Sequence, residues 1–263
     1  MMEIMVCLKQ VPDAAEVRVD PATRTLMRQG VAAMVNPFDL HALEEGVRCR
    51  ERLGGGRVTA VSMGPPQAAE ALREALARGA DAAVLLGSRV FAGADTLATS
   101  RVLALAAGKL APGLILAGKQ AIDADTGQVG PELAAWLDWP LVCYVAKIRE
   151  ISPARAVVER RLDSGREVLE VDLPAVFTVI REINEPRLPS FKGRLRAKKA
   201  AIPVWDEREL GADPAETGLA GSPTAVAEIF PPPRRERGEM PTAGTPAEAA
   251  RLLAGKIREC RPA

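Results

Sequence analysis

Aromatic side chains are scarce in this chain, at 3% of residues, and histidine occurs once, at His41. So few rings cannot build a base-stacking platform. A formal charge of +1 supplies no basic surface for general nucleic-acid binding. The four cysteines, Cys7, Cys49, Cys143 and Cys260, contain no CxxC pair. With one histidine they weigh against a Cys/His zinc site and read as reduced thiols of a cytoplasmic protein. No apolar run approaches a membrane span, and the first residues enter a strand pattern at once, with no charged and then apolar leader. The glycine fingerprints GxGxxG after the first strand and GxxxxGK[ST] are missing, and so is GxSxG. A dehydrogenase-type dinucleotide site, a P-loop and a nucleophile elbow therefore have no support. Neither a metal site nor a catalytic constellation is expected.

What the chain has is a regular rhythm. Residues 4–8 read as a strand, bounded by Lys9-Gln10-Val11-Pro12-Asp13. Residues 17–19 and 25–28 flank the turn-rich Asp20-Pro21-Ala22-Thr23, as in a small hairpin. Asn36-Pro37-Phe38-Asp39 opens a helix that continues to about Leu53, since asparagine caps, proline suits a first turn and aspartate complements the dipole. Gly54-Gly55-Gly56 stops it. Strands at 58–63, 82–87, 113–117 and 141–146 alternate with helices ending at Gly79, spanning Thr96–Leu110 and running through 132–137. This alternation predicts an α/β fold, a mostly parallel sheet with right-handed crossovers and helices on both faces. After Ile151 the strands at 155–161, 167–171 and 175–180 have short connections, which predicts an antiparallel addition. Beyond Ile202 come loops, an extended Pro231-Pro232-Pro233-Arg234-Arg235 linker and a last helix over about Pro246–Glu259. Residues 1–225 are expected to form the main domain, and 226–263 an arm lying across a partner or back over that domain.

The most informative stretch is 116–131, LAGKQAIDADTGQVGP. A buried strand breaks into a loop with Gly118, Lys119, Gln120, Ala121, Asp123, Asp125, Thr126 and Gln128, and helical pattern resumes after Val129. Ligands of open parallel sheets bind where strands end and helices begin, because backbone N–H groups there are unpaired and the helix dipole favours anions. A nucleotide is expected at this loop. A second loop, Gly93-Ala94-Asp95-Thr96-Leu97-Ala98-Thr99-Ser100, suits a phosphate through Thr96, Thr99 and Ser100 near a helix start, although simple capping by Asp95 or Thr96 fits the spacing equally. Cys7, at a strand end, reads as pocket lining. His41 has no apparent partner for acid–base work. The basic run from Lys192 to Lys199, beside the apolar Phe191 in a Pro- and Gly-punctuated loop, fits a solvated face, a phosphate site or a docking surface.

Taken together and in order, these segments resemble the beta subunit of electron transfer flavoproteins over nearly the whole length. The resemblance is carried by Val6-Cys7-Leu8-Lys9-Gln10-Val11-Pro12, Val35-Asn36-Pro37-Phe38-Asp39, Val61-Ser62-Met63-Gly64-Pro65, residues 118–130, Leu173-Pro174-Ala175-Val176, Asn184-Glu185-Pro186-Arg187 and Ala197-Lys198-Lys199. It implies a heterodimer with an alpha subunit that holds most of the electron-transferring FAD. This chain would supply a Rossmann-like domain with an adenine-nucleotide site, and a C-terminal arm embracing the partner. The family's nucleotide positions fall on Cys7, Asn36, Pro37, Phe38, Asp39, Met63 and 118–129. Its recognition loop falls on about 189–199, with Phe191, Lys192, Arg194 and Leu195 facing acyl-CoA dehydrogenase-like flavoproteins or a membrane quinone oxidoreductase; Phe191 replaces the usual leucine. Housekeeping members hold a structural AMP in the beta subunit. Bifurcating members hold a second FAD there, which takes a hydride from NADH. Residues 93–100 and 125–131 are similar to the bifurcating pattern, whereas Ala124 and 184–187 are closer to the housekeeping one. The expectation is a second FAD, with AMP as the alternative. An ATP-using enzyme or a nucleotide sensor on a related fold are further alternatives; the first would need a phosphate-cradling glycine loop.

Overall fold

The first strand, β1 (Glu3–Cys7), is buried from Ile4 to Cys7, as a strand with neighbours on both edges and both faces must be. Its side chains alternate between two cores. Ile4 and Val6 pack with helices α1 (Pro37–Arg52) and α2 (Ala69–Arg78), while Met5 and Cys7 pack with α3 (Thr96–Leu110) and α4 (Val129–Leu137). The structure is a computed structural model that describes residues 1–12, 18–19, 26–27, 33–228, 238 and 243–260.

Short strands β2 (Gln10–Pro12) and β5 (Ala33–Val35) pair antiparallel, as do β3 (Arg18–Val19) and β4 (Leu26–Met27). The turn read at 20–23 lies outside the described residues. The main sheet contains β1, β6 (Arg57–Met63), β7 (Ala82–Leu86), β8 (Leu114–Gly118), β9 (Leu141–Ile151), β10 (Arg155–Leu162), β11 (Gly165–Asp172), β12 (Ala175–Val179) and β13 (Val204–Trp205). Its order is β11-β10-β9-β12-β8-β1-β6-β7-β13. From β9 to β13 all neighbours are parallel; β10 and β11 add antiparallel at one edge. The chain steps from β1 out through β6 to β7, then returns to β8 on the other side of β1. That reversal makes the carboxyl ends of β1 and β8 a topological switch point.

Two expectations need correction. Residues 175–179 are not part of the antiparallel addition: β12 inserts parallel between β8 and β9. All five of its residues are buried, a run that belongs inside a parallel sheet and not at a half-exposed edge. The segment read as a recognition loop is a helix, α5 (Phe191–Lys199), started by Ser190, whose side chain accepts the Gly193 N–H at 2.9 Å.

A short α6 (Glu207–Leu210) follows β13. The chain divides into Met1–Ile229 and Phe230–Ala263. In the second unit, α7 (Pro246–Glu259) opens on a capping box between Thr245 and Glu248 and buries none of its residues. The linker read at 231–235 lies outside the described residues. Among the described residues no helix is long and apolar enough to cross a membrane.

Candidate functional site

At the switch point the first turn of α1 ties two strand ends together. The buried Asp39 carboxylate accepts the Lys9 N–H just beyond β1 at 2.7 Å and the Gly118 N–H at the end of β8 at 3.2 Å. Asn36 Nδ2 donates to the same carboxylate at 2.9 Å and to Gln120 O at 2.9 Å, and its Oδ1 accepts the Ile122 N–H at 3.3 Å. Burial pushes the Asp39 carboxyl up to about 7, against the pull of these three donors toward the anion. The Cys7 thiol, buried and near the Asp39 charge, is pushed up to about 12. A thiol held that high stays protonated near neutral pH.

The loop after β8 folds back on this brace. Lys9 Nζ pairs with Asp123 at 2.7 Å, and Gln120 donates to Asp125. The Phe38 ring carries two cations, Lys119 and Arg181. Gly127, at φ +63°, turns the chain into α4. Gln128 at the N-cap makes no side-chain cap, so the first N–H groups of α4 have no side-chain acceptor there. Thr126 is exposed beside them, and Ala121, Val129 and Met63 at the end of β6 are half-buried.

The second loop meets the first through Thr96, whose hydroxyl lies 3.0 Å from Glu132 Oε1 and 3.4 Å from Gln128 Oε1. Glu132 Oε2 is buried with no partner among the described residues, an acceptor that a ligand hydroxyl would satisfy. The neighbouring groups are already engaged. Asp95 caps α3 by accepting the Ala98 N–H at 3.1 Å and takes the Thr224 hydroxyl at 2.8 Å. Ser100 is fully buried; its hydroxyl donates to Leu97 O at 2.8 Å and accepts Trp136 Nε1–H at 3.1 Å. Thr99 is half-buried one turn into the helix. His41 Nδ1 lies 3.0 Å from Asn184 O, a contact that fastens the 184–187 segment to α1.

On the other face, α5 is fastened to α2 by arginines at each other's carboxyl ends. Arg196 donates to Leu76 O and Ala80 O, both at 2.8 Å, and Arg73 donates to Ala197 O at 2.9 Å. A Cβ on Gly193 would strike Ala77 O, so only glycine permits this approach. Phe191 is left 78% exposed and Leu195 49%, with Lys192 and Arg194 beside them. A groove of about 700 Å³ runs between α2 and α5 and is walled at one end by Gln10 and Val35 of the β2–β5 pair.

Arg181, not among the residues singled out from the sequence, follows β12 as Lys119 follows β8 and reaches the same Phe38 ring.

A doubly wound sheet whose polar loops converge on a switch point, at a helix start without a side-chain cap, is the architecture of a nucleotide-binding α/β protein. The electron transfer flavoprotein domain matches residues 23–210. The electron transfer flavoprotein subunit beta of Thermoanaerobacterium thermosaccharolyticum is 48% identical over 257 residues, covering 97% of this chain and 98% of the relative. The caffeyl-CoA reductase-Etf complex subunit CarD of Acetobacterium woodii is 46% identical, with 98% of each chain covered. Protein FixA of Azotobacter vinelandii is 46% identical, covering 91% of this chain and 88% of its own. The chain belongs to the electron transfer flavoprotein family, as a beta subunit.

Proposed function

We propose that this beta subunit holds a second FAD between residues 95–100 and 118–129 and, with its alpha subunit, takes part in flavin-based electron bifurcation with NADH as donor. The observation that carries this reading is the junction at Thr96, Gln128 and Glu132. There the two loops meet beside a helix start without a side-chain cap and a buried carboxylate oxygen that lacks a donor among the described residues. A phosphate suits the N–H groups of α4, and a ribose or ribityl hydroxyl suits Glu132. FAD, when bound, supplies the two-electron and one-electron chemistry. The chain's part is to bind the adenosine end, to keep Asp39 and Asn36 bracing the crevice floor, and to orient the ring toward its partner. The name of CarD, a subunit of a reductase–Etf complex, supports a flavoprotein dehydrogenase or reductase as the partner docked on Phe191, Lys192, Arg194 and Leu195. Residues 226–263 act as an arm on the alpha subunit, through the Leu253 and Ile257 side chains that α7 exposes. The heterodimer works in the cytoplasm, where its free cysteines stay reduced.

A structural AMP is the second reading. It is favoured by Ser100 and Asp95, whose side chains are already engaged within the chain and leave fewer groups for a second phosphate. Purifying the heterodimer and counting its cofactors separates the two. Two FAD per heterodimer support bifurcation; one FAD with one AMP rejects it.

A further inference from the structure

Residues 216–224 form a strap against the turn that leads into α3. The Leu219 N–H donates to Ala92 O at 3.0 Å, and Glu216 pairs with Arg101 of α3. Gly218, at φ +57°, sits so close to Val90 O that a Cβ would overlap it, so only glycine permits this approach. The strap then closes on Asp95. Ser222 Oγ accepts the Asp95 N–H at 2.8 Å while donating to Gly218 O at 2.6 Å. The Thr224 N–H and hydroxyl both donate to Asp95 Oδ2, at 3.1 and 2.8 Å.

Capping α3 uses only part of what Asp95 offers. Its Oδ1 accepts the Ala98 N–H at 3.1 Å, which is a complete N-cap. The strap takes the Asp95 N–H and Oδ2 as well, so this residue is fixed at three polar atoms. The next residue is Thr96, whose hydroxyl lies 3.0 Å from Glu132 and 3.4 Å from Gln128. We propose that Ser222 and Thr224 are positioning residues that, through Asp95, hold Thr96 against α4 and so set the preference of the crevice for FAD over AMP. The inference rests on the second-FAD reading, in which AMP engages residues 118–129 alone and FAD also spans 95–100. A loop fixed before its ligand arrives loses less freedom on binding, so the larger ligand gains from the strap and the smaller one does not.

The test is calorimetric titration of FAD and AMP into the heterodimer stripped of its beta-subunit nucleotide. Thr224 is exposed and Ser222 half-buried, so Thr224→Val and Ser222→Ala leave the core intact. Wild type is expected to bind FAD at least about tenfold more tightly than AMP. The double variant Ser222→Ala/Thr224→Val loses that preference and keeps AMP affinity within about twofold of wild type. Thr224→Val alone narrows the preference, and Thr224→Ser, which keeps the hydroxyl, restores it. The inference is overturned if the double variant keeps the preference, if FAD and AMP weaken together, or if Thr224→Ser behaves as Thr224→Val. In each of those cases the wild-type preference still stands, and with it the second-FAD reading. If wild type itself does not prefer FAD, that reading fails and takes this inference with it.

Discussion

Gly118→Ala perturbs the contact on which the crevice is built. A Cβ at this position would stand 2.6 Å from Phe38 Cβ and 2.9 Å from the Phe38 carbonyl carbon, and closer still to Asp39 Oδ1. Ordinary carbon contacts are about 3.5–4 Å, so the first turn of α1 must withdraw from β8 by roughly 1 Å. Overpacking of this kind costs about 1–3 kcal/mol. The withdrawal also breaks the bond from the Gly118 N–H to Asp39 (3.2 Å), and a hydrogen bond to a charged group contributes about 1.5–3 kcal/mol. The two losses share one displacement, so they overlap, and a total of about 3–4 kcal/mol is expected. At about 2–4 °C per kcal/mol for a domain of this size, the melting midpoint falls by roughly 6–15 °C. The variant heterodimer should also release its beta-subunit nucleotide on gel filtration while keeping the flavin of the alpha subunit. Gly108→Ala is the control, since a Cβ there, in the last turn of α3, meets nothing within 4 Å; it should be neutral or stabilising by up to about 1 kcal/mol. A Gly118→Ala protein that melts within about 2 °C of wild type and retains its nucleotide would refute the reasoning.

Asp39 gives a pH signature. Its carboxyl titrates near 4 when unfolded and at about 7 in the folded chain, so the folded state holds a proton that the unfolded state releases. Its contribution to stability is full below pH 4 and is lost as pH rises through 7. Denaturant titrations should show wild type losing stability relative to Asp39→Asn between about pH 4 and 7 and levelling off above that; a relative gain over this range would contradict the assignment. At Glu44 the balance runs the other way. Burial alone would raise its carboxyl, but Arg187 at 2.7 Å and Arg48 at 2.6 Å hold it below the ordinary value. Arg187→Ala should therefore cost about 1–3 kcal/mol at neutral pH, and the gap to wild type should close as acid protonates Glu44, as measured by the same titrations. On α5, Phe191→Ala should leave the melting midpoint unchanged and weaken capture of a flavoprotein dehydrogenase about tenfold by surface plasmon resonance. Arg196→Ala, which removes the bonds to Leu76 O and Ala80 O, should instead lower the midpoint by the equivalent of about 1–2 kcal/mol.

Where local chemistry decides structure, it was readable in the residues. The limits of α3 and α7 follow from their caps: Asp95 and Thr245 stop extended chain and start helix within one residue. The alternation of strand and helix implied the layered sheet in the same way. The misreadings were matters of tertiary context. A glycine beside Pro189 and Ser190 reads as loop, yet Gly193 sits inside α5 because α2 leaves no space for a larger residue. The short connection before Ala175 argues for a hairpin, yet the unbroken apolar run of β12 belongs in the sheet centre, and burial prevailed over proximity. In the site, the polar strand-end loops announced themselves by composition. The brace from Asp39 to Lys9 and Gly118 spans up to 79 positions in sequence and arises only from the order in which strands assemble. The meeting of Lys119 and Arg181 on Phe38 arises likewise from β8 and β12 being neighbours.

Amide hydrogen exchange on the intact heterodimer, with and without its beta-subunit adenine nucleotide, bears most directly on the claim that the switch point between β1 and β8 is where that nucleotide sits. Bound nucleotide should slow exchange at residues 118–120 and 126–130 and leave the groove between α2 and α5 unchanged. Unaltered exchange at the start of α4, with protection appearing along that groove instead, would contradict it.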